Sequence, residues 1–436
     1  MPPHAGPNLR HLYALVVVHR LGSISAAAPQ VNLSQPALTQ AVARLEQQLG
    51  VRLFERQPGG MQATEAALLV VPRIERALAH LGRGIAVARR ALRLPAHPGL
   101  ERRVSLGQLQ ALVAVETAGS YSLAAARAGV SQPAIYRAVQ SLADVIGVAL
   151  TVRRGKAVQP TPVAERLLRQ VRLALAEVRA ALDEVAALRS QHAGRIVLGV
   201  MPLARAILLP QVLARFARAH PDASIGVVEG PYEALLGHLR EGGLDLLIGA
   251  LRERLPVGDV VQEPLFDDEP VIVARSGHPL AARPYTFAHL LEYPWVIAAA
   301  GTPVRERWER MFRDHQLTPP PLRIECGAEL TVRGLLLDGD WLTLMSRDQF
   351  LFERRAGLLC EIGRAGPQLR RQIGMTTRSD WHPTRAQTVF VQMLRQVCAE
   401  RVQPADAHAG PFRHCAMPAA EPPLRSRPAG SESASS

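Results

Sequence analysis

The sequence predicts a multi-domain chain in which two α-rich winged helix-turn-helix domains, each followed by a long linker helix, precede an α/β region. Three observations lead there. Residues 9–67 return at a constant offset of 97 as residues 106–164, ungapped, with about 25 of the 59 aligned positions identical, which marks an internal repeat. Positive charge follows the repeat: residues 1–190 hold 23 Arg or Lys against 11 Asp or Glu, and the remainder holds 28 against 27. Beyond Gly194 the grammar changes to short apolar runs alternating with amphipathic stretches, the pattern of an α/β fold.

The first repeat opens with Leu9, Leu12, Leu15 and Val16 at helical spacing, a stripe that Gly22-Ser23 ends. A short helix follows from Ser25, where Ala26, Ala27 and Ala28 let two helices cross closely. Pro29 falls inside it, where an interior proline costs ~3 kcal/mol unless the helix starts late enough to place it in the first turn. After a turn at Asn32-Leu33, Ser34 is placed to cap a third helix running to about Gln48, with Pro36 harmless near its start. Its inner face is Leu38, Val42 and Leu45; Thr39, Gln40, Ala43 and Arg44 face out. Gly50 to Thr64 reads as strand, turn at Pro58-Gly59-Gly60, and return strand. Thr64 to Leu94 reads as one long amphipathic helix stopped by Pro95 and Pro98-Gly99.

The second repeat follows the same plan: helices at Leu106–Thr117, Ser122–Ala128 and Ser131–Ile146, a hairpin at Val148–Pro160, and a long helix from Pro162 to Arg189. The predicted divisions are winged units at 1–63 and 105–161, linker helices at 64–94 and 162–190, an α/β region at 194–400 with a mostly parallel sheet, and a disordered tail at 403–436 rich in Ala, Pro, Ser and Gly.

A basic half joined to a nearly neutral half is the electrostatic footprint of a polyanion binder attached to something else. In a helix-turn-helix unit, the outward positions at the start of the third helix meet base edges in the major groove, and the wing meets phosphates. The candidates in the first unit are Ser34, Gln35, Pro36, Thr39, Gln40 and Arg44, with Arg52 and Arg56 from the wing. The second unit offers Ser131, Gln132, Pro133, Tyr136 and Arg137, with Arg153, Arg154 and Lys156. Because Thr39-Gln40 becomes Tyr136-Arg137, two working copies would prefer different half-sites. The competing reading is that one copy only packs.

Cys326, Cys360, Cys398 and Cys415 are scattered with no metal-ligand spacing, which predicts reduced and mostly buried thiols and no metal. No stretch has the ~20 apolar residues of a membrane span and no signal peptide opens the chain, so the expected location is cytoplasmic. There is no Gly-rich phosphate loop, nucleophile elbow or catalytic His-Asp-Glu cluster, so an enzyme with a cofactor is not expected. His278 before Pro279 reads as a turn residue.

The run Ser34-Gln35-Pro36-Ala37-Leu38 with Leu45-Glu46, Leu49-Gly50-Val51 and Leu53-Phe54-Glu55-Arg56 resembles the N-terminal unit of LysR-type transcriptional regulators. That resemblance implies double-stranded DNA as a partner, linker helices that pair, a periplasmic-binding-protein-like effector domain with two lobes, RNA polymerase as a further partner, and a homo-oligomer. Gly230-Pro231 and the strand start Gly243-Leu244-Asp245-Leu246-Leu247-Ile248 fit a subgroup whose effectors are sugars or aromatic catabolites. Effector contacts belong at the carboxyl ends of strands: Met201, Pro202, Leu203 and Ala250 from the first set, and Gly301, Thr302, Pro303, Glu329, Thr331 and Ser346 from the second. Thr302 is the clearest polar anchor, with a hydroxyl able to cap its helix and reach a ligand. Family members carry one DNA-binding unit, and this chain carries two. The helix 64–94 is therefore placed to pair with 162–189 of the same chain as a single-chain pseudo-dimer; association through the effector domains is the alternative, and both can hold together. A nonspecific architectural DNA binder would explain the basic half but not the neutral one.

Overall fold

The computed structural model describes residues 9–190, 194–201, 208–366 and 369–402. The chain begins with α1 (Leu9–Leu21), α2 (Ile24–Gln30) and α3 (Gln35–Leu49), then a hairpin of β1 (Phe54–Gln57) and β2 (Gly60–Ala63), then α4 (Glu65–Ala91). Ser23 and Ser34 cap α2 and α3, each accepting an amide three residues on at 3.3 Å. Gly22 ends α1 at φ 60° and its carbonyl accepts the Met61 amide at 2.7 Å, which pins the hairpin to the triad. A Cβ on Gly60 would stand 2.5 Å from that carbonyl, so glycine is needed there.

Pro29 lies in the last turn of α2, not the first. Its missing amide removes the helical bond to the carbonyl four residues back, and the helix ends one residue later. The triad and hairpin recur as α5 (Leu106–Ala118), α6 (Tyr121–Ala128), α7 (Gln132–Ile146), β3 (Thr151–Arg154) and β4 (Ala157–Pro160), followed by α8 (Pro162–Arg189). Val158 bonds Gly119 as Met61 bonds Gly22, at 2.8 Å. One expectation fails: Ser131 begins α7 with extended backbone but makes no side-chain cap bond, its neighbour Gln132 instead taking a bond from Ser122 at 3.2 Å.

The two long helices pack against each other and run antiparallel: residues near 73 in α4 meet those near 184 in α8, and residue 84 meets 167 and 170. Gly84 allows the closest approach, since a Cβ there would be 2.8 Å from that of Gln170. The stripe Val70, Ile74, Ala77 and Leu81 faces Leu167, Val171, Ala174 and Val178, and both triads share this apolar core. Arg73, 6% exposed, donates to Glu184 (3.0 Å) and to the carbonyls of His382 (2.6 Å) and Pro383 (3.1 Å). Arg76 holds Glu177 at 3.1 Å, and His80 meets Gln170 at 2.9 Å.

After α8 come β5 (Gly194–Val200), α9 (Leu208–Ala219), β6 (Ala223–Glu229), α10 (Tyr232–Arg240), β7 (Leu246–Ala250) and β8 (Val260–Asp268). The chain then enters a second compact unit, Glu269–Leu369. That unit holds β9 (Val271–Arg275), β10 (Val296–Ile297), α11 (Pro303–Asp314), β11 (Ile324–Glu325), α12 (Glu329–Asp338), β12 (Thr343–Met345), α13 (Leu351–Arg355) and β13 (Leu359–Arg364). The chain returns with β14 (Arg371–Arg378) and α14 (Arg385–Val402).

The first unit's sheet has the order β6-β5-β7-β14-β8, and it is mostly parallel as expected, four of its five strands running in one direction and β14 alone against them. β5 is parallel to β6 and β7, but β14 is antiparallel to both β7 and β8. The cause is the excursion: the chain leaves at Asp268 and returns beside it at Arg371, its register partner, so the returning strand must run backwards. Arg371 seals that junction on Asp268 at 2.7 Å. In the second unit β9 is flanked by β12 and β13, both antiparallel, while the short β10·β11 pair is parallel. Trp295, Trp308 and Phe312 fill one side of it and Val273, Leu336 and Phe350 the other.

Cys398 is buried, but Cys326 and Cys360 are only half-buried, and among the described residues none of the three is joined in a disulfide. Cys415 and the tail expected at 403–436 lie outside the described residues. Among the described residues no helix is long and apolar enough to cross a membrane.

Candidate nucleic-acid interface

The exposed face of α3 presents Gln35, Pro36, Gln40, Ala43 and Arg44, with Ser34 at its cap. Thr39 departs from the expected outward set: it is half-buried, and its hydroxyl donates to the Gln35 carbonyl at 2.9 Å. Arg52 and Arg56 are exposed at the base and strand of the hairpin. The local field is positive, and His11 reports it. Burial first, then the guanidiniums of Arg44 and Arg10, hold that imidazole below its ordinary range.

On α7 the exposed set is Gln132, Pro133, Tyr136 and Arg137. Tyr136 is 49% exposed, and its ring meets Tyr121 edge-on at 5.3 Å, a contact that restrains a large aromatic on an otherwise polar face. The hairpin turn carries Arg153, Arg154, Gly155 and Lys156, all exposed, with no acidic residue among them. The first hairpin carries Glu55 beside Arg56, so the second presents the stronger cationic edge.

Sequence reasoning missed Glu46 as a structural part of this surface. Its carboxylate accepts the Leu53 and Phe54 amides at 2.8 and 3.2 Å and fixes the first hairpin to α3. Ala143 stands at the repeated position, so the second hairpin lacks that tie. Two further contacts were equally hidden: Arg89 of α4 donates to the Ile146 carbonyl ending α7 at 2.5 Å, and the Arg189 guanidinium ending α8 would lie 3.0 Å from a Cβ on Gly50, which ends α3. Each long helix thus sends a cation to the carboxyl end of the other triad's third helix, where the helix dipole favours it.

The expected effector residues fall in both compact units. In the first, Met201 is half-buried, its amide bonded to the Ile248 carbonyl at 3.0 Å and its side chain against Gly249; Ala250 ends β7. Pro202 and Leu203 lie outside the described residues. In the second, Gly301 has φ 81° and Pro303 opens α11. The Thr302 hydroxyl does not cap that helix, contrary to expectation; it donates back to the Ala299 carbonyl at 2.8 Å. Thr331 is exposed. Glu329 and buried Ser346 are joined by a residue that pattern reading passed over: Gln349 donates to the Glu329 carboxylate and accepts the Ser346 amide at 2.9 Å. His278 is buried and caps its turn, accepting the Leu280 amide at 3.1 Å.

Comparison with known proteins matches residues 9–68 and again 106–165 to the lysR-family model of bacterial regulatory helix-turn-helix proteins, and residues 189–399 to the LysR substrate binding domain. The HTH-type transcriptional regulator GalR of Pseudomonas putida is 33% identical over 395 residues, covering 91% of this chain and 98% of that one. Among solved structures, a full-length OxyR point variant from Pseudomonas aeruginosa aligns with a TM-score of 0.52 at 21% identity, over 70% of this chain and 95% of that one. CbnR, a LysR family transcriptional regulator, aligns with a TM-score of 0.50 at 18% identity, over 67% and 98%. These relatives are regulators and not enzymes, and the chain belongs to the LysR family of DNA-binding transcription regulators with a substrate-binding domain.

Proposed function

We propose that both repeated units are winged helix-turn-helix DNA readers and that a single chain acts as a pseudo-dimer under the control of a small molecule. The observation that carries this reading is the crossed exchange between the halves: α4 and α8 antiparallel, with Arg89 on the end of α7 and Arg189 against the end of α3. Tethering then sets the effective concentration of the second reader, and the two third helices address adjacent half-sites without waiting for association. The match to the GalR regulator supports it. That alignment leaves only about 40 residues of this chain unmatched, fewer than one repeated unit, so it has to run through both.

Base edges are assigned to Gln35, Gln40 and Arg44 in one unit and to Gln132, Tyr136 and Arg137 in the other, so the half-sites differ in sequence. Phosphates are assigned to Arg52, Arg56, Arg153, Arg154 and Lys156. The effector, a sugar or aromatic catabolite, is assigned to the neighbourhood of Met201, Pro202, Leu203 and Ala250 in one lobe and of Gly301, Thr302, Pro303, Glu329, Thr331 and Ser346 in the other. It acts by preferring one arrangement of the linker helices over another. RNA polymerase is the downstream partner, and a homo-oligomer multiplies the number of readers.

Footprinting of the intact protein beside Gln35→Ala and Gln132→Ala tests the reading. Loss of different protected blocks identifies two readers; loss from one variant only reduces the chain to one reader and one packing unit. Sedimentation of the DNA complex showing two chains on a single operator repeat excludes the pseudo-dimer. Binding with no preference over random competitor at physiological salt excludes sequence-specific regulation altogether.

A further inference from the structure

We infer that the groove bounded by α1, α4 and the connector 92–102 is a second small-molecule site, built for an amphiphilic anion: an aromatic or aliphatic body carrying a carboxylate or sulfonate. The groove is a cavity of about 1010 Å³ within the DNA-binding half, at the upper end of the size of ligand sites. Leu78, Ile85 and Leu94 give it apolar walls, and Arg102, stacked on the Tyr13 ring at 3.9 Å, closes one end.

Its charge is one-sided: six arginines and two glutamates line it. Glu75 and Glu101 are taken by Arg20 at 3.8 Å and Arg102 at 3.3 Å. Arg89 is spent on the carbonyls of Pro95 and Ile146, and Arg83 lies 2.9 Å from the His80 Nδ1 whose proton Gln170 already takes, so neither guanidinium is neutralised. Among the described residues the side chains of Arg90 and Arg93 meet no hydrogen-bond or ion-pair partner. Cations held together beside apolar walls favour a ligand that brings one negative charge and a hydrophobic body.

The repeat explains why protein does not fill the space. The offset of 97 carries Glu75 and Ala79 of α4 onto Arg172 and Ala176 of α8. On α8 that face is covered by the following α/β segment: Arg172 donates to Glu241 at 3.0 Å, and a Cβ on Gly242 would lie 3.0 Å from that of Ala176. The chain has one α/β segment for two repeated units, so the corresponding face of α4 stays open. Its outer wall is the connector between the units, and a ligand held between α4 and that connector stiffens the link on which their spacing depends.

The probe is 1-anilinonaphthalene-8-sulfonate, whose fluorescence rises in apolar surroundings, titrated into the full-length protein. The expected result is a saturable site that weakens at least about tenfold in Ala86→Trp, which fills the groove from an exposed position of α4, and in the double variant Arg90→Ala with Arg93→Ala, the loss of one charge-assisted contact. Circular dichroism checks that both variants keep the parent's helicity. The uncharged N-phenyl-1-naphthylamine should bind about tenfold more weakly than the sulfonate, for the same reason. Binding that neither variant changes, equal binding of the neutral dye, or no saturable binding overturns the proposal. Displacement of the sulfonate by duplex DNA with the same dependence on Arg90 also overturns it, by assigning the groove to the phosphate backbone.

Discussion

Arg73→Met is the sharpest probe of how the first repeated unit is held. The methionine keeps the apolar stem but removes a guanidinium that meets Glu184 at 3.0 Å and the carbonyls of His382 and Pro383 at 2.6 and 3.1 Å. Glu184 is 6% exposed, and among the described residues its other oxygen accepts only the Arg385 amide at 3.4 Å, so the variant strands a buried carboxylate. Glu177, 3.6 Å from Arg73, is spared because Arg76 remains at 3.1 Å. Removing one partner of a buried pair costs roughly 3–5 kcal/mol. The lower end applies here, since one of two carboxylates keeps its cation.

The assay is urea unfolding followed by circular dichroism, paired with hydrogen exchange along α4 and α8, because a chain of several units need not unfold in one step. Exchange should accelerate in α4 first. The companion variant is Arg73→Met with Glu184→Leu, which replaces both charges by apolar groups and should recover most of the loss. A single-variant cost below about 1 kcal/mol, or a double variant as unstable as the sum of the singles, refutes the account of this junction.

Three further outcomes are expected. Gly84→Val should cost roughly 1–3 kcal/mol by overpacking against Gln170 and Leu167, despite glycine's poor helix propensity, whereas Gly59→Ala, with nothing within 4 Å, should leave the urea midpoint unchanged. Asp183 has its carboxyl raised to about 6, by burial first and then by Asp245 against the pull of Arg179 and Arg195. A raised carboxyl favours the folded state when protonated, so its stabilisation is full below its unfolded value of 3.8 and is lost as pH rises through about 6. Asp183→Asn should therefore raise the urea midpoint at neutral pH, with the advantage shrinking across that window. Replacing Arg153, Arg154 and Lys156 with alanine should flatten the dependence of log K on log salt by about 0.9 per lost phosphate contact, more than Arg52→Ala with Arg56→Ala does.

Local features were legible in the sequence because they depend on neighbours a few residues away. Ser34 capping α3, Gly22 and Gly119 turning the ends of α1 and α5, and the stripe Leu38, Val42, Leu45 all follow from capping geometry and a 3.6-residue period. Where a local rule failed, a nearby competitor had won. Ser131 keeps the cap backbone without the bond, and the Thr302 hydroxyl turns back to Ala299. Thr39 is half-buried where the period suggested an outward position, and its hydroxyl is engaged by its own helix. The roles of Glu46 and of Gln349 toward Glu329 were not legible, since those partners are brought near by the turn of the chain and not by spacing.

The duplication, the split of charge between a basic half and a neutral half, the helix triads with their hairpins and the strand-helix alternation after Gly194 were determined by the sequence alone, because periodicity, composition and capping are properties of short windows. Tertiary structure alone decided that α4 lies antiparallel on α8, that Arg73 reaches carbonyls 309 and 310 positions away, and that β14 runs against its neighbours. The reason is that an amphipathic stripe states that it must be covered but not by what. Which surface covers it depends on how the whole chain closes, and here on a strand forced to return beside the point where the chain left.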